Sequence, residues 1–162
     1  MGTWADGIAG DFSDLPSLGV VAKIAVRLAM AALLGGAVGF ERRWSDKPAG
    51  LRTHMLVALG SALFVLVPQQ AGLTGSDLSR VIQGIVSGIG FIGAGSILKL
   101  TDRAEVKGLT TAAGLWLTCA IGVAVGLGRE GSAVLGTVLT LLILTLVHRV
   151  SVRLGGDRDS LE

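Results

Sequence analysis

The chain has 162 residues, of which 51% are hydrophobic and only 16% are charged, with a formal net charge of +2. This composition excludes a disordered chain, and the single cysteine excludes a disulfide scaffold. Soluble domains carry roughly 25% charged residues. The basic residues here lie in short loops between long apolar runs, so the sequence indicates a multi-pass membrane protein in a lipid bilayer and not a nucleic-acid-binding domain.

Apolar runs long enough to cross a bilayer occur five times. A helix rises about 1.5 Å per residue, so about 20 residues span the hydrocarbon core. The runs are continuous and do not alternate with period 2, which argues against the strands of a membrane barrel. The predicted fold class is therefore all-α, a bundle of five transmembrane helices over residues 18–40, 53–71, 81–100, 109–128 and 132–150.

Lysine and arginine are distributed unevenly among the loops. The first and third loops and the C-terminal tail are rich in basic residues, whereas the second and fourth loops each carry one arginine. Because basic loops remain in the cytoplasm, we predict that the N-terminus lies outside and the C-terminus inside. The predicted organisation is a leader over 1–17, a transmembrane domain over 18–150 and a cytoplasmic tail over 151–162.

Two basic residues, Lys23 and Arg27, lie one helical turn apart near the outer end of the first predicted span. Lys23 is expected to extend to the outer headgroups. For Arg27 two interpretations stay open. It either extends to the same headgroups or is an intramembrane cation that faces the interior of the bundle.

A polar segment over 39–54 joins the first two spans. Within it Gly50 permits an unusual backbone angle, and Thr53 is a plausible N-cap for the second span. Glu41 and Arg52 lie at the two membrane edges of this loop, so we predict that they form an ion pair. From the residues alone, a positive-inside loop with a structural ion pair explains the segment more readily than a functional site.

The third predicted span is rich in glycine and contains the string G-x-G-x-x-G at Gly88, Gly90 and Gly93. It lies in an apolar run with no preceding strand, so it is not a dinucleotide-binding fingerprint. At about 100° per residue the glycines fall on two opposite faces of a helix, and small residues let helices approach closely. We predict that this span is packed on both sides at the centre of the bundle, with helix-packing residues Gly84, Gly88, Gly90, Gly93 and Gly95. A hinge or a water-lined path along exposed carbonyls is the alternative.

The fourth predicted span opens with a third polar segment, at Lys107. Thr110 or Thr111 can cap this helix, whose free N–H groups and dipole, together with Lys107, suit an anion. Ordinary capping beside a lysine that extends to the headgroups is the alternative. Trp116 is expected to pack against neighbouring helices, and Cys119 is expected to be a small packing residue.

No catalytic residues and no metal site are predicted. The two histidines, His54 and His148, are far apart in sequence, and no cysteine or acidic cluster accompanies them. A Ser-His-Asp order, a phosphate-binding loop or paired catalytic carboxylates cannot be assembled from these residues. We therefore expect no cofactor and no enzymatic activity.

The three polar or glycine-rich segments together resemble the MgtC/SapB family of bacterial inner-membrane proteins. The similarity covers residues 35–128, through GFERRWSDKPAGLRTHMLVALGSALF, SGIGFIGAGSIL and VKGLTTAAGLWLTCAIGVAVG. It implies that family motif residues fall at Glu41, Arg42, Lys47, Gly50, Leu51, Arg52 and Thr53, at Gly88, Gly90, Phe91, Gly93, Ala94 and Gly95, and at Gly108, Leu109, Thr111, Ala112, Ala113 and Trp116.

The resemblance implies a multi-pass protein of the bacterial cytoplasmic membrane that is linked to adaptation to low Mg²⁺ and to intracellular survival of pathogens. One class of members is described as inhibiting the F-type ATP synthase. The leading hypothesis is a non-enzymatic regulatory protein that contacts a partner membrane protein through its glycine-rich spans. A cytoplasmic cluster would set its conformation, formed by Glu41, Arg42, Lys47, Gly50, Arg52, Thr53, His54, Lys107, Thr110 and Thr111.

Two other functions are considered. The first is a small transporter or channel for Mg²⁺ or another solute. Since the spans carry no Asp or Glu, a Mg²⁺ path would depend on carbonyls, hydroxyls and the edge residue Glu41. The second is an intramembrane enzyme.

The sequence also departs from some members of the family. Virulence-type members often carry a soluble C-terminal domain similar to ACT domains, whereas residues 151–162 follow the last predicted span here, so functions that need that domain are not expected. Thr110 stands where some members have asparagine. The GxxxG pairs Gly35/Gly39 and Gly122/Gly126 predict a homodimer.

Overall fold

A computed structural model describes residues 17–45, 47–100 and 105–147. It contains five α-helices, which confirms the predicted all-α class. They are α1 (Leu18–Trp44), α2 (Leu51–Gln70), α3 (Gly75–Gly95), α4 (Leu109–Gly126) and α5 (Glu130–Leu142). The first four are long and apolar enough to span a membrane. Apart from Ser17, the predicted leader lies outside the described residues, as does the predicted tail.

The connection between α3 and α4 differs from the prediction. The third span was predicted to reach residue 100, but α3 ends at Gly95 and a short antiparallel hairpin follows, formed by β1 (Leu98–Leu100) and β2 (Glu105–Lys107). Ser96 ends the helix, because both its N–H and its hydroxyl donate to the Gly93 carbonyl, at 3.0 and 2.7 Å. The residues after Gly95 remain apolar, so hydropathy alone does not reveal this boundary.

The last helix begins two residues before its predicted span, and residues 148–150 of that span lie outside the described residues. α5 ends at Leu142 and continues as a single π-helical segment, Ile143–Val147, at the end of the described residues. Its buried side chains, Ala133, Thr137 and Thr140, form one stripe along the helix. Thr137 and Thr140 donate to the carbonyls one turn earlier, at 2.8 and 2.6 Å, so their hydroxyls are satisfied within the helix.

The centre of the bundle is α4. In its apolar window 56% of the residues are buried, against 6% for α3. The core lies where α1, α2, α4 and α5 meet, and small side chains dominate it: Ala31, Val38, Ala58, Ala62, Ile121, Val125 and Ala133. Small residues let helix backbones approach closely, which is the packing that membrane bundles depend on.

The backbones of α2 and α4 approach each other closely where the two helices cross. A Cβ at Gly122 would overlap the Ala58 carbonyl group, and one at Gly126 would lie 2.8 Å from the Ala62 carbonyl oxygen. Ala58 therefore lies opposite Gly122 and Ala62 opposite Gly126, so α2 and α4 run in parallel. Only glycine permits this approach.

The crossing of α1 and α2 has the same character. A Cβ at Gly35 would lie 2.6 Å from the His54 carbonyl oxygen, and one at Gly39 would lie 2.8 Å from the Leu51 Cα. Both GxxxG pairs therefore close helix contacts within the chain. The faces from which a homodimer was predicted are already occupied, so that prediction loses its basis in these pairs.

The prediction that the glycine-rich third span is central is wrong. Around four of its glycines a Cβ would meet nothing within 4 Å, at Gly84, Gly88, Gly90 and Gly95. Gly93 alone among these glycines packs against another helix, and a Cβ there would lie 3.7 Å from the Ala112 Cβ. Small residues mark a helix face that another helix is able to approach closely. They do not reveal whether that other helix belongs to the same chain or to a different one.

Arg27 is resolved as one half of an ion pair. Its Nε lies 3.1 Å from the Glu130 Oε1, and the two side chains are 21% and 42% exposed. The guanidinium also lies against Gly128, which has a φ of 73° and leaves no space for a side chain. Arg27 thus joins α1 to the first residue of α5 and is not an unpaired cation in the interior. Lys23 is exposed.

We expect Gly122→Ala to destabilise the folded protein by about 1–3 kcal/mol, because the added methyl group overlaps the backbone of α2. Gly90→Ala is the matched control, since its methyl group enters open space, and its effect should stay within about 0.5 kcal/mol. Thermal unfolding in detergent measures both. Equal stability of the two variants would contradict the packing at Gly122.

Candidate functional site

The three sequence motifs meet near the start of α4. Gly108 precedes this helix with a φ of 97°, and its Cα lies so close to the Ser96 carbonyl that no side chain fits there. One turn into the helix, Ala112 packs against Gly93 of the second motif. On the other side of α4, Gly114 faces the imidazole of His54, which belongs to the first motif. A Cβ at Gly114 would lie 3.7 Å from the His54 Nε2. The start of α4 therefore contacts residues of both other motifs.

The predicted ion pair between Glu41 and Arg52 is not formed. Instead the Arg42 Nε lies 3.0 Å from Glu41 Oε2, and the Ser45 hydroxyl donates to Glu41 Oε1 at 2.9 Å. The reason is that α1 continues past the predicted membrane edge to Trp44, so Glu41 lies within a helix beside its own partners. Arg52 lies in the first turn of α2, with its side chain exposed.

The predicted threonine caps are also not formed. α2 begins at Leu51 after Gly50, and α4 begins at Leu109 after Gly108; neither helix has a side-chain cap. Thr53 lies inside the first turn, and the Gly108 carbonyl already accepts the Ala112 N–H at 2.9 Å. Gly108 has a φ of 97°, which lets the chain turn tightly into α4. Gly50 has an ordinary extended φ of −101°, so the unusual backbone angle predicted there is not present. In both helices the threonines lie past the cap position, inside the first turn.

The remaining residues of the predicted cluster flank this junction. Lys47 donates its backbone N–H to the Arg42 carbonyl at 3.0 Å, which folds the loop back on α1. Lys107 lies opposite Leu98 in the hairpin and is partly buried. Thr110 is partly buried and Thr111 is buried in the first turn of α4. An anion at the start of α4 stays a prediction.

Three buried polar residues lie on α1, α2 and α4, without a full set of hydrogen-bond partners among the described residues. Arg42 on α1, His54 on α2 and Thr118 on α4 are 4%, 0% and 0% exposed. The His54 Nδ1 lies 3.1 Å from the Gly50 carbonyl oxygen, so Nδ1 carries the proton and Nε2 is left as an acceptor. Within the described residues, His54 Nε2, Thr118 Oγ1 and Arg42 Nη1 have no hydrogen-bond partner.

The register of α2 and α4 relates two of these groups. Because Ala58 lies opposite Gly122, the positions one turn earlier, His54 and Thr118, also oppose each other across the crossing. An unsatisfied buried polar atom costs about 1–3 kcal/mol. We call the group formed by Arg42, His54 and Thr118 the junction. Each of the three residues has a buried polar atom without a hydrogen-bond partner, which lowers the stability of the bundle. The junction is therefore the core of the candidate site.

A groove between α2 and α3 was not anticipated from the sequence. Its volume is about 800 Å³ and its walls are almost entirely apolar, with Gly84 and Gly88 on α3 facing α2. Cys119 of α4 closes its floor and accepts a hydrogen bond from the Ser61 hydroxyl at 3.1 Å, which confirms Cys119 as a buried packing residue. The signal in the sequence is the run Arg52, Leu56, Gly60 and Phe64, spaced four apart on one face of α2.

The opposite face of α3 is exposed and partly polar. At about 100° per residue, six positions fall within about 80° of each other on this face. They form what we call the outer stripe: Ser76, Arg80, Gln83, Ser87, Gly90 and Ala94. Gln83 and Ser87 lie about 12 and 18 Å along the helix from its first residue, which is the middle of a span.

Two large aromatic side chains are exposed, one on α4 and one on α3. Trp116 is 52% exposed and Phe91 is 84% exposed. The expectation that Trp116 packs against neighbouring helices is therefore not met. It lies on a face of α4 that the five helices leave uncovered, because the stripe of α4 that carries Gly114, Gly122 and Gly126 faces α2 instead.

Comparison with known proteins identifies relatives over most of the chain. The model of the MgtC family matches residues 28–153. YhiD of Escherichia coli (strain K12) is 42% identical over 142 residues, which cover 83% of this chain and 65% of YhiD. SrpB of Synechococcus elongatus is 43% identical over 150 residues, covering 86% of this chain and 82% of SrpB. MgtC of Brucella abortus is 46% identical over 130 residues, covering 79% and 52%.

The chain thus spans less than two thirds of YhiD and about half of the Brucella protein. The activities of those longer proteins therefore do not pass to it directly. No solved structure matches the chain.

We expect Arg42→Gln to destabilise the protein by about 3 kcal/mol, because it leaves the mostly buried Glu41 carboxylate without its cation. Arg43→Gln is the matched control at the next residue, where the side chain is exposed, and should change stability by less than about 0.5 kcal/mol. The two losses of stability are compared through the melting temperatures of the purified variants in the same detergent. Similar losses in both variants would mean that net charge and not the Glu41–Arg42 pair is responsible.

Proposed function

Because this chain belongs to the MgtC family, we propose that it is a non-enzymatic regulatory protein that acts by helix–helix contact with a partner membrane protein during adaptation to low Mg²⁺. The link to Mg²⁺ comes from relatives. The chain is similar to proteins named MgtC in Brucella and to YhiD of Escherichia coli, which is named as a candidate magnesium transporter. The contact mechanism comes from the geometry of α3.

The observation that carries the proposal is the outer stripe of α3. Gln83 and Ser87 lie exposed in the middle of an apolar helix, where lipid offers no hydrogen-bond partner and an unsatisfied amide costs several kcal/mol. Gly90 is open and Ala94 is exposed on the same face, so another backbone is able to approach closely. A transmembrane helix of a partner supplies both the close contact and the hydrogen bonds.

The position of α3 in the bundle supports this role. Ile89 and Gly93 bury its inner side, and the outer stripe faces away from the core that the other helices form. Docking of a partner there therefore requires no rearrangement of the core. If α3 lay at the centre of the bundle, the other helices would cover all its faces, and no face would be available to a partner.

The junction around Arg42 and His54 is connected to α3 through the start of α4. Gly93 of α3 rests on Ala112, and the Ser96 carbonyl rests on Gly108, while Gly114, two residues after Ala112, faces His54. A change in the hydrogen bonding of His54 would be transmitted to the helix that carries the outer stripe. We propose that this is how the polar cluster sets the conformation of the contact surface.

Transport of Mg²⁺ is the second candidate, favoured by the name of YhiD. Mg²⁺ prefers oxygen ligands, mostly carboxylates and water, in octahedral geometry. In the described parts of the chain, no three His, Cys, Asp or Glu residues are grouped as metal ligands. Backbone contacts between glycine and alanine close the α2–α4 crossing, and the groove between α2 and α3 is almost entirely apolar. These features favour contact over conduction.

We expect Gly90→Leu and Gln83→Leu to abolish growth of a complemented deletion strain in low-Mg²⁺ medium. The leucine at position 90 blocks close approach, and the leucine at position 83 removes the mid-span amide. Gly131→Leu is the control, since it also places leucine at an exposed, open glycine, but on α5. Membrane levels of all variants are compared by immunoblot.

Wild-type growth of both α3 variants at normal membrane levels would overturn the proposed contact surface. Loss of growth in the Gly131→Leu control would indicate a general effect of added apolar bulk, and the outer stripe would then have no special role.

A further inference from the structure

The groove between α2 and α3 is a binding site in its own right, on the side of α3 away from the outer stripe. We infer that it holds an acyl chain of an anionic phospholipid, whose phosphate binds at Arg52. The inference uses the groove face of α3 only, so it is independent of the proposed partner contact.

The length of the groove matches one leaflet of the bilayer. Along α2 it runs from Arg52 to Phe64, twelve residues, which is about 18 Å at 1.5 Å per residue. The hydrocarbon core is about 30 Å thick, so the groove extends from one membrane edge to slightly past the midplane. A partner's transmembrane helix needs a groove across the whole core, whereas a lipid tail occupies one leaflet.

The walls of the groove suit a flexible hydrocarbon chain. Leu56, Val57 and Phe64 form the α2 side, and Ile85 and Ile89 form part of the α3 side. Gly60, Gly84 and Gly88 leave the space between them open, and a Cβ at any of the three would meet nothing within 4 Å. The resulting volume of about 800 Å³ is apolar along its length.

Charge is present only at one end of the groove. Arg52 lies there in the first turn of α2, and Thr53 places a hydroxyl beside it. Within the described residues Arg52 forms no ion pair, because Glu41 is paired with Arg42. A guanidinium binds phosphate oxygens well, and the uncapped start of α2 adds the positive end of a helix dipole.

This arrangement of a basic residue at the mouth of an apolar groove between transmembrane helices suits an anionic headgroup with its tail in the groove. The bound lipid would fill the space between α2 and α3. Since α3 is the least buried of the long helices, the lipid would hold it against the bundle.

The experiment uses the purified full chain in detergent. Phosphatidylglycerol, phosphatidylcholine with identical acyl chains, and inorganic phosphate are each titrated in, and binding is followed by the rise in melting temperature. For the wild type we expect an apparent affinity about fivefold higher for phosphatidylglycerol than for phosphatidylcholine, and no response to phosphate alone.

Two kinds of variant separate the headgroup from the tail. Arg52→Gln should lose the preference for phosphatidylglycerol while still binding both lipids weakly. Gly88→Leu, and Gly84→Leu as a second variant at the same wall, should lose the response to both lipids, because leucine occupies the groove. The controls are Arg43→Gln, an exposed arginine outside the groove, and Gly95→Leu, an open glycine of α3 that does not line it.

The inference is overturned if Arg52→Gln keeps the full preference for phosphatidylglycerol, or if folded Gly88→Leu and Gly84→Leu bind lipid like the wild type. Folding is checked by far-UV circular dichroism and gel filtration. A photoreactive amino acid at Leu56 identifies the occupant in native membranes. Adducts with lipid support the inference, and adducts with a second copy of the chain or with another protein contradict it.

Discussion

The backbones of α2 and α4 approach each other so closely that this crossing fixes the arrangement of the bundle core. In a bilayer the hydrophobic effect does not drive helices together, so packing and hydrogen bonds must hold the bundle. Gly122 and Gly126 let α4 rest directly on the Ala58 and Ala62 backbone. This crossing makes α4 the central helix, brings His54 beside Gly114 and leaves α3 at the periphery.

Because α3 lies at the periphery, the protein has a dense core formed by the other helices and also helix faces on α3 that nothing in the chain covers. Its inner side is buried through Ile89 and Gly93, while the rest of the helix is exposed or lines the groove. An exposed mid-span amide such as Gln83 lowers the stability of an isolated bundle in lipid, and it becomes favourable only when a partner group meets it. In our proposal, α3 therefore supplies the contact surface and α4 supplies the stability, and the two helices touch near their shared loop.

The sequence predicted much of this fold because hydropathy and span length are strong local signals. The five helices and the burial of Cys119 were predicted from the sequence and are present in the fold. The predicted central position of the third span is wrong because a glycine on a helix face has the same spacing whether its partner is in the chain or outside it. Gly122 and Gly88 differ only in what lies opposite them.

The remaining errors concern partners that local patterns do not determine. Glu41 was predicted to pair across the loop with Arg52, but the extension of α1 to Trp44 gives it Arg42 and Ser45 at shorter range. Arg27 and Glu130 are 103 residues apart in sequence, and only the packed bundle brings them together. The groove likewise depends on the distance between α2 and α3, which cannot be predicted from the sequence of either helix alone.

We propose that this protein acts by contact with a partner and does not conduct Mg²⁺. The most direct measurement is Mg²⁺ flux into proteoliposomes that contain the purified full chain, beside proteoliposomes with an established Mg²⁺ channel. We expect influx equal to that of protein-free liposomes, while the channel gives robust flux. Mg²⁺ influx that rises with the amount of folded protein, and is lost on replacing Glu41 with alanine, would contradict the account and make the protein a transporter.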